Sequence, residues 1–177
     1  WRGCIMRRYF IGVKMATSAL AMVACVSVAP AHAEQALIGF KVMSPETALE
    51  LARAALADCR RRGYQTAIAV VDRFGVVQVL LRDRFAGAHT PDTARRKAWT
   101  AVSFRVDTLT LARQTESDSP QAGVRHVTDA LMVGGGVPVE SSGSIVGGIG
   151  VSGAPGGEAD EACARAGIEA ILEKLVF

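Results

Sequence analysis

The sequence predicts an α+β domain: a two-layer arrangement with roughly five antiparallel strands and helices packed on the sheet. Two β-rich runs, residues 66–72 and 76–83, are joined by the short turn Asp72-Arg73-Phe74-Gly75, which reads as a hairpin. A second tight turn, Ser142-Gly143, joins residues 137–140 to residues 145–152. The helical segments fall between and around these hairpins. Antiparallel neighbours need no helical crossover, so the helices are expected on one side of the sheet.

Each element has its own signal. Ser44-Pro45-Glu46 opens the first helix with an N-cap, a proline in the first turn and an acid at the positive end. Leu49, Ala52, Leu56 and Cys59 recur at helical spacing on one face. Gly63 stops that helix after Arg60-Arg61-Arg62, a basic run that suits the negative end and reads as a solvated terminus. The first strand is almost wholly apolar, which places it centrally with both faces covered. Thr90-Pro91-Asp92 repeats the cap chemistry of Ser44-Pro45-Glu46, so a second helix starts near Pro91 and carries Ala94, Ala98, Trp99 and Ala101. Asp107 caps a short third helix that reaches Gln114. Residues 115–121 are polar and hold a proline, hence a loop. Residues 130–133 and 137–140 are short strand pieces around Gly134-Gly135-Gly136, and the last helix covers residues 158–175.

The glycines of the last third set the tone of the chain. Glycine inside a strand weakens it and marks a bend or a close approach. Gly147, Gly148, Gly150 and Gly153 therefore describe a strand against which a helix, another subunit or a flat ligand lies closely. The segment Gly148-Ile149-Gly150-Val151-Ser152-Gly153 spells the dinucleotide fingerprint. That fingerprint also needs a following helix, a second parallel strand and a later acid. Too few residues follow Gly153 to supply them.

Residues 1–33 differ in kind. Met6-Arg7-Arg8 begins a basic segment, residues 16–28 are uncharged and apolar, and Ala31-His32-Ala33 offers a cleavage site. This reads as a secretory signal peptide, with translation starting at Met6 or Met15 and the mature domain covering residues 34–177. Met22-Val23-Ala24-Cys25 faintly resembles a lipidation site. The apolar run is shorter than the ~20 residues of a membrane span. The leader holds Arg2, Arg7, Arg8 and Lys14 and no acid, so the basic excess of the whole chain belongs to it. The mature chain carries 16 basic and 17 acidic residues, which leaves no electrostatic case for nucleic acid.

Chemistry-bearing residues are few. Cys59 and Cys163 remain in the mature chain; their alanine-rich surroundings suit two buried thiols, with a disulfide as the other reading. No serine sits in a nucleophile elbow. Glu158, Asp160 and Glu161 answer the dipole of the last helix. His89 and His126 are the two histidines of the mature part, without clustered metal-ligating partners. His89 lies in a small-residue loop just before a helix start. Thr90 and the helix-start amides there suit an anionic group, and Arg95, Arg96 and Lys97 follow within two turns. These three cannot all point the same way, so at most two face a pocket.

The runs Val70-Val71-Asp72-Arg73-Phe74-Gly75, Ala86-Gly87-Ala88-His89-Thr90 and Ala94-Arg95-Arg96-Lys97-Ala98-Trp99 resemble the GlcG/HbpS family of haem-binding domains. So does the stretch from Gly134-Gly135-Gly136-Val137-Pro138 through Gly153-Ala154-Pro155-Gly156-Gly157 to Asp160-Glu161-Ala162-Cys163-Ala164. The resemblance spans essentially the whole mature chain. It implies a profilin- or PAS-like domain, a homo-oligomer, and non-covalent binding of haem or a related tetrapyrrole. It further implies, for some members, iron release from haem or sensing with a two-component sensor-kinase partner. On this resemblance His89 and Thr90 are the iron-proximal pair, and Arg95 and Lys97 meet the propionates. His126 is a second candidate ligand, and Gly135, Gly136, Gly148, Gly150 and Gly153 form a ligand-facing wall. The expected function is an exported, periplasmic or secreted haem-binding protein. The alternatives are a haem-degrading enzyme that frees iron and a sensor module for another small molecule.

Overall fold

The computed structural model describes residues 37–176. The leader expected over residues 1–33, with Cys25 and the cleavage site near Ala33, lies outside the described residues. The elements are α1 Pro45–Arg61, β1 Ala67–Asp72, β2 Val77–Arg82, α2 Thr90–Phe104, α3 Thr108–Gln114, β3 Gly136–Ser141, β4 Ser144–Ser152 and α4 Gly157–Glu169. Short 3-10 turns occupy Ala122–His126 and Leu172–Leu175. Among the described residues no helix is long and apolar enough to cross a membrane.

The α+β class holds. The sheet is antiparallel throughout, with four strands in the order β2-β1-β4-β3. The expected fifth piece at residues 130–133 is not a strand; Leu131 N instead bonds the Thr100 hydroxyl on α2. Strand β1 is central, and Ala67, Ile68, Ala69, Val70 and Val71 are all 0% exposed. Its period-2 alternation feeds two cores. Ile68 and Val70 join Leu51, Ala55, Ile149 and Val151 under α1 and α4. Ala67, Ala69 and Val71 meet Ala94, Ala98 and Val102 of α2. The helices therefore cover both faces of the sheet, not one side. The α2 face is built almost entirely of small residues, and that lets the helix settle close.

Both hairpins form as read. Asp72 Oδ1 accepts from Phe74 N at 2.8 Å and Val76 N at 3.0 Å, closing the first turn. Ser142 and Gly143 both take positive φ, the pairing a two-residue hairpin turn requires. Ser44 and Asp107 cap α1 and α3 through Thr47 N and Thr110 N. Two boundaries differ from expectation. Helix α2 starts one residue early, so Thr90 is its first residue and not its cap. Helix α4 ends at Glu169, and a turn of tighter helix finishes the chain.

The two cysteines are not free thiols. Cys59 and Cys163 form a disulfide between α1 and α4, with Cα atoms 5.4 Å apart. Small residues at the crossing bring the helices within bridging range: a Cβ on Gly167 would stand 2.8 Å from Ala55 Cβ. The arginine run after Cys59 is not merely solvated. Arg60 grips the buried Asp83 at two points, and Arg61 and Arg62 both bond Asp58.

A candidate ligand groove between two helix starts

Helices α2 and α4 begin at the same end of the sheet, on opposite faces, and both open onto one groove of about 570 Å³. Neither start has a side-chain cap: His89 stands at the N-cap of α2 and Gly156 at that of α4, without a side-chain bond to the first amides. The groove is completed by Tyr64 and Gln65 after α1, by Phe85 and Gly87 before α2, and by the loop from Ser152 to Gly157. Phe85 is 78% exposed at this edge of the groove.

His89 lies exposed at the mouth, with its imidazole directly over Gly87; a Cβ on Gly87 would come 2.7 Å from His89 Cε1. Thr90 is buried and its hydroxyl donates to Gly87 O at 2.7 Å, which folds the loop under the helix start. Asp83 anchors the near end of this loop by accepting from Arg84 N at 2.9 Å. The Arg60 hydrogen bonds hold the Asp83 carboxyl down to about 2, overriding the burial that would raise it.

The basic run of α2 splits three ways, as 100° per residue demands. Arg95 turns to Asp92 and Asp129, and Arg96 reaches Ala130 O; neither lines the groove. Lys97 points inward and is 2% exposed; its ammonium sits 2.7 Å from Asp160 Oδ2 and 3.0 Å from Val151 O. Burial pushes the Asp160 carboxyl above its usual range, and the nearby Lys97 charge opposes that. His126 is exposed on the turn after α3 and lies outside the groove.

The glycine wall needs correction. Gly136, Gly148 and Gly150 face helix α2: added Cβ atoms would meet Lys97 O at 2.3 Å, Val102 Cγ2 at 2.5 Å and Ala94 O at 2.0 Å. Gly135 covers the Lys97–Asp160 pair. Of these five, Gly153 lines the groove. Of the three neighbours the bare strand allowed, a helix takes the place.

The family model described as "Haem degrading protein HbpS-like" matches residues 43–169. This chain belongs to the HbpS-like family. An HbpS double mutant from Streptomyces reticuli is 38% identical with a TM-score of 0.73, covering 82% of this chain and 98% of that one. A structure described as the PduOC–haem complex is 28% identical with a TM-score of 0.70, covering 73% of this chain and 95% of the other. The protein ORFY of Klebsiella pneumoniae, 22% identical with a TM-score of 0.76, shares the fold. It covers 79% of this chain and 97% of its own. No curated protein matches the chain.

Sequence reasoning on this HbpS-like chain missed Tyr64, Gln65 and Phe85 as groove residues and Asp160 as the partner of Lys97. Phe85 carried one usable signal, a large ring in a loop of glycine and alanine. The Lys97–Asp160 pairing, 63 residues apart, carried none.

Proposed function

We propose that this HbpS-like protein binds haem non-covalently in the groove between the starts of α2 and α4. The carrying observation is convergence: an imidazole and an exposed aromatic ring stand at the mouth of a groove onto which two uncapped helix N-termini open. The volume suits a small-molecule site. The chemistry of the donor set fits the group. Helix-start amides favour carboxylates such as the propionates, a histidine nitrogen is a common haem-iron ligand, and Phe85 offers an apolar surface to the ring. Arg95 and Lys97 are already ion-paired, and the Thr90 amide is bonded to Gly87 O at 3.0 Å, so the Gly157 amide at the start of α4 takes the propionate role. Haem, when bound, supplies a redox-active iron; the chain supplies position and shielding. The family match and the haem complex of the PduOC relative support this reading.

Export to the periplasm or beyond belongs to the same proposal. The leader pattern of residues 1–33 supports it, as does the disulfide, since such bonds persist in oxidising compartments. Self-association is supported by the edge strand β2, whose Val77 and Leu80 are 40% and 47% exposed beside Phe74 at 62%.

Titration of the purified mature chain with hemin tests the binding. A saturable shift of the Soret band is expected; an unchanged spectrum removes the reading. His89→Ala alters the bound spectrum and His126→Ala leaves it alone. The family description also favours a second reading, haem breakdown with release of iron. Decay of the Soret band with peroxide or ascorbate, together with free iron, selects that reading; a stable band selects the carrier.

A further inference from the structure

At the floor of the groove, which Lys97 and Asp160 help to line, lies an ion pair almost wholly withdrawn from solvent. Lys97 and Asp160 are 2% and 3% exposed. Lys97 Nζ gives one hydrogen bond to Asp160 Oδ2 at 2.7 Å and a second to Val151 O at 3.0 Å. The other Asp160 oxygen, Oδ1, accepts from Ala154 N at 2.9 Å. One pair thus joins α2, the end of β4, the glycine loop after it and the first turn of α4. Gly135 lies against it with no room for a side chain: a Cβ there would stand 2.6 Å from Asp160 Cβ and 3.1 Å from Lys97 Nζ.

We infer that Lys97 and Asp160 are positioning residues that fix the two helix starts across the groove, and that Lys97 is not itself a ligand contact. The inference deepens the haem reading and rests on it for its binding arm. Two of the three ammonium donors are spent on protein oxygens, and the positive charge is matched by a carboxylate of equal burial. A ligand carboxylate would have to displace Asp160 and strand it, which a buried ion resists. Losing one member leaves the other as an uncompensated charge, whereas replacing both with apolar groups of similar size is often neutral. Pair and contact therefore leave different signatures.

The test is a cycle of K97M, D160L and the double variant in the full mature chain, read by hemin Kd and by amide hydrogen exchange of residues 153–158 without ligand. Each single variant raises Kd by roughly tenfold or more and speeds exchange in the loop. The double variant returns to within about threefold of wild type and restores protection. A propionate contact gives the opposite pattern: K97M and the double variant bind equally weakly, D160L binds as wild type, and loop exchange is unmoved. That pattern overturns the inference. If a single variant does not fold, the double variant decides, since retained binding supports the pair and a loss of about tenfold removes it. If wild type fails to bind hemin, the haem reading falls, and the exchange arm still decides the role of the pair.

Discussion

Gly150 lies so close to Ala94 that a Cβ on Gly150 would stand 2.0 Å from the Ala94 carbonyl oxygen. Helix α2 rests on bare backbone, and its depth sets where His89, Thr90 and Lys97 stand. Gly150→Ala forces a helix backbone outward, because no flexible side chain is there to yield. The expected loss is about 1–3 kcal/mol, the range for overpacking a filled core, with weaker hemin binding alongside. Gly123→Ala, where nothing lies within 4 Å, changes stability by no more than about 0.5 kcal/mol. Urea midpoints of the two variants check the contrast.

The Cys59–Cys163 bridge closes a long loop, with a sequence separation of 104. On the chain-entropy account, a loop near 100 residues is worth about 4.7 kcal/mol of constraint on the unfolded chain. Both cysteines are 0% exposed, so native protein reacts slowly with dithiothreitol and quickly once urea opens it. The thermal midpoint falls on reduction. Cys59→Ala with Cys163→Ala falls likewise and no longer responds to reductant.

Arg60 and Asp83 predict a pH dependence. The folded Asp83 carboxyl sits at about 2, below its ordinary 3.8. A depressed carboxylate gives stability that is present above the ordinary value and is lost as pH falls through the folded one. Asp83→Asn is therefore destabilised at pH 7, and the gap to wild type closes as the pH is lowered from about 4 to 2. Asp160, whose carboxyl is raised, acts in the opposite sense. Comparing variant with wild type at each pH cancels it. Urea midpoints at several pH values provide the measurement, and a gap that stays constant would refute the pairing.

Local signals in the sequence located most of the fold. Ser44 and Asp107 revealed helix starts because a cap and its amide lie within three residues. Strand β1 was legible because its apolar run leaves no solvent face. What failed was long-range. The glycines announced a close neighbour but could not say that it was α2, whose Ala94 and Ala98 lie some fifty residues earlier. Cys59 and Cys163 gave no sign of their crossing, which depends on Gly167 and Ala55 packing α4 onto α1. The site was half legible. His89 and Thr90 were found from the helix start beside them. Arg95 and Lys97 were correctly seen as diverging, but their partners Asp129 and Asp160 come from distant segments.

The groove between the starts of α2 and α4 is the centre of the account, and hydrogen exchange of the protein with and without hemin tests it most directly. Protection gained at residues 85–93 and 152–158 is the predicted result. Protection confined to the separate groove beside Arg73 and Arg105, with those two segments unchanged, would contradict it.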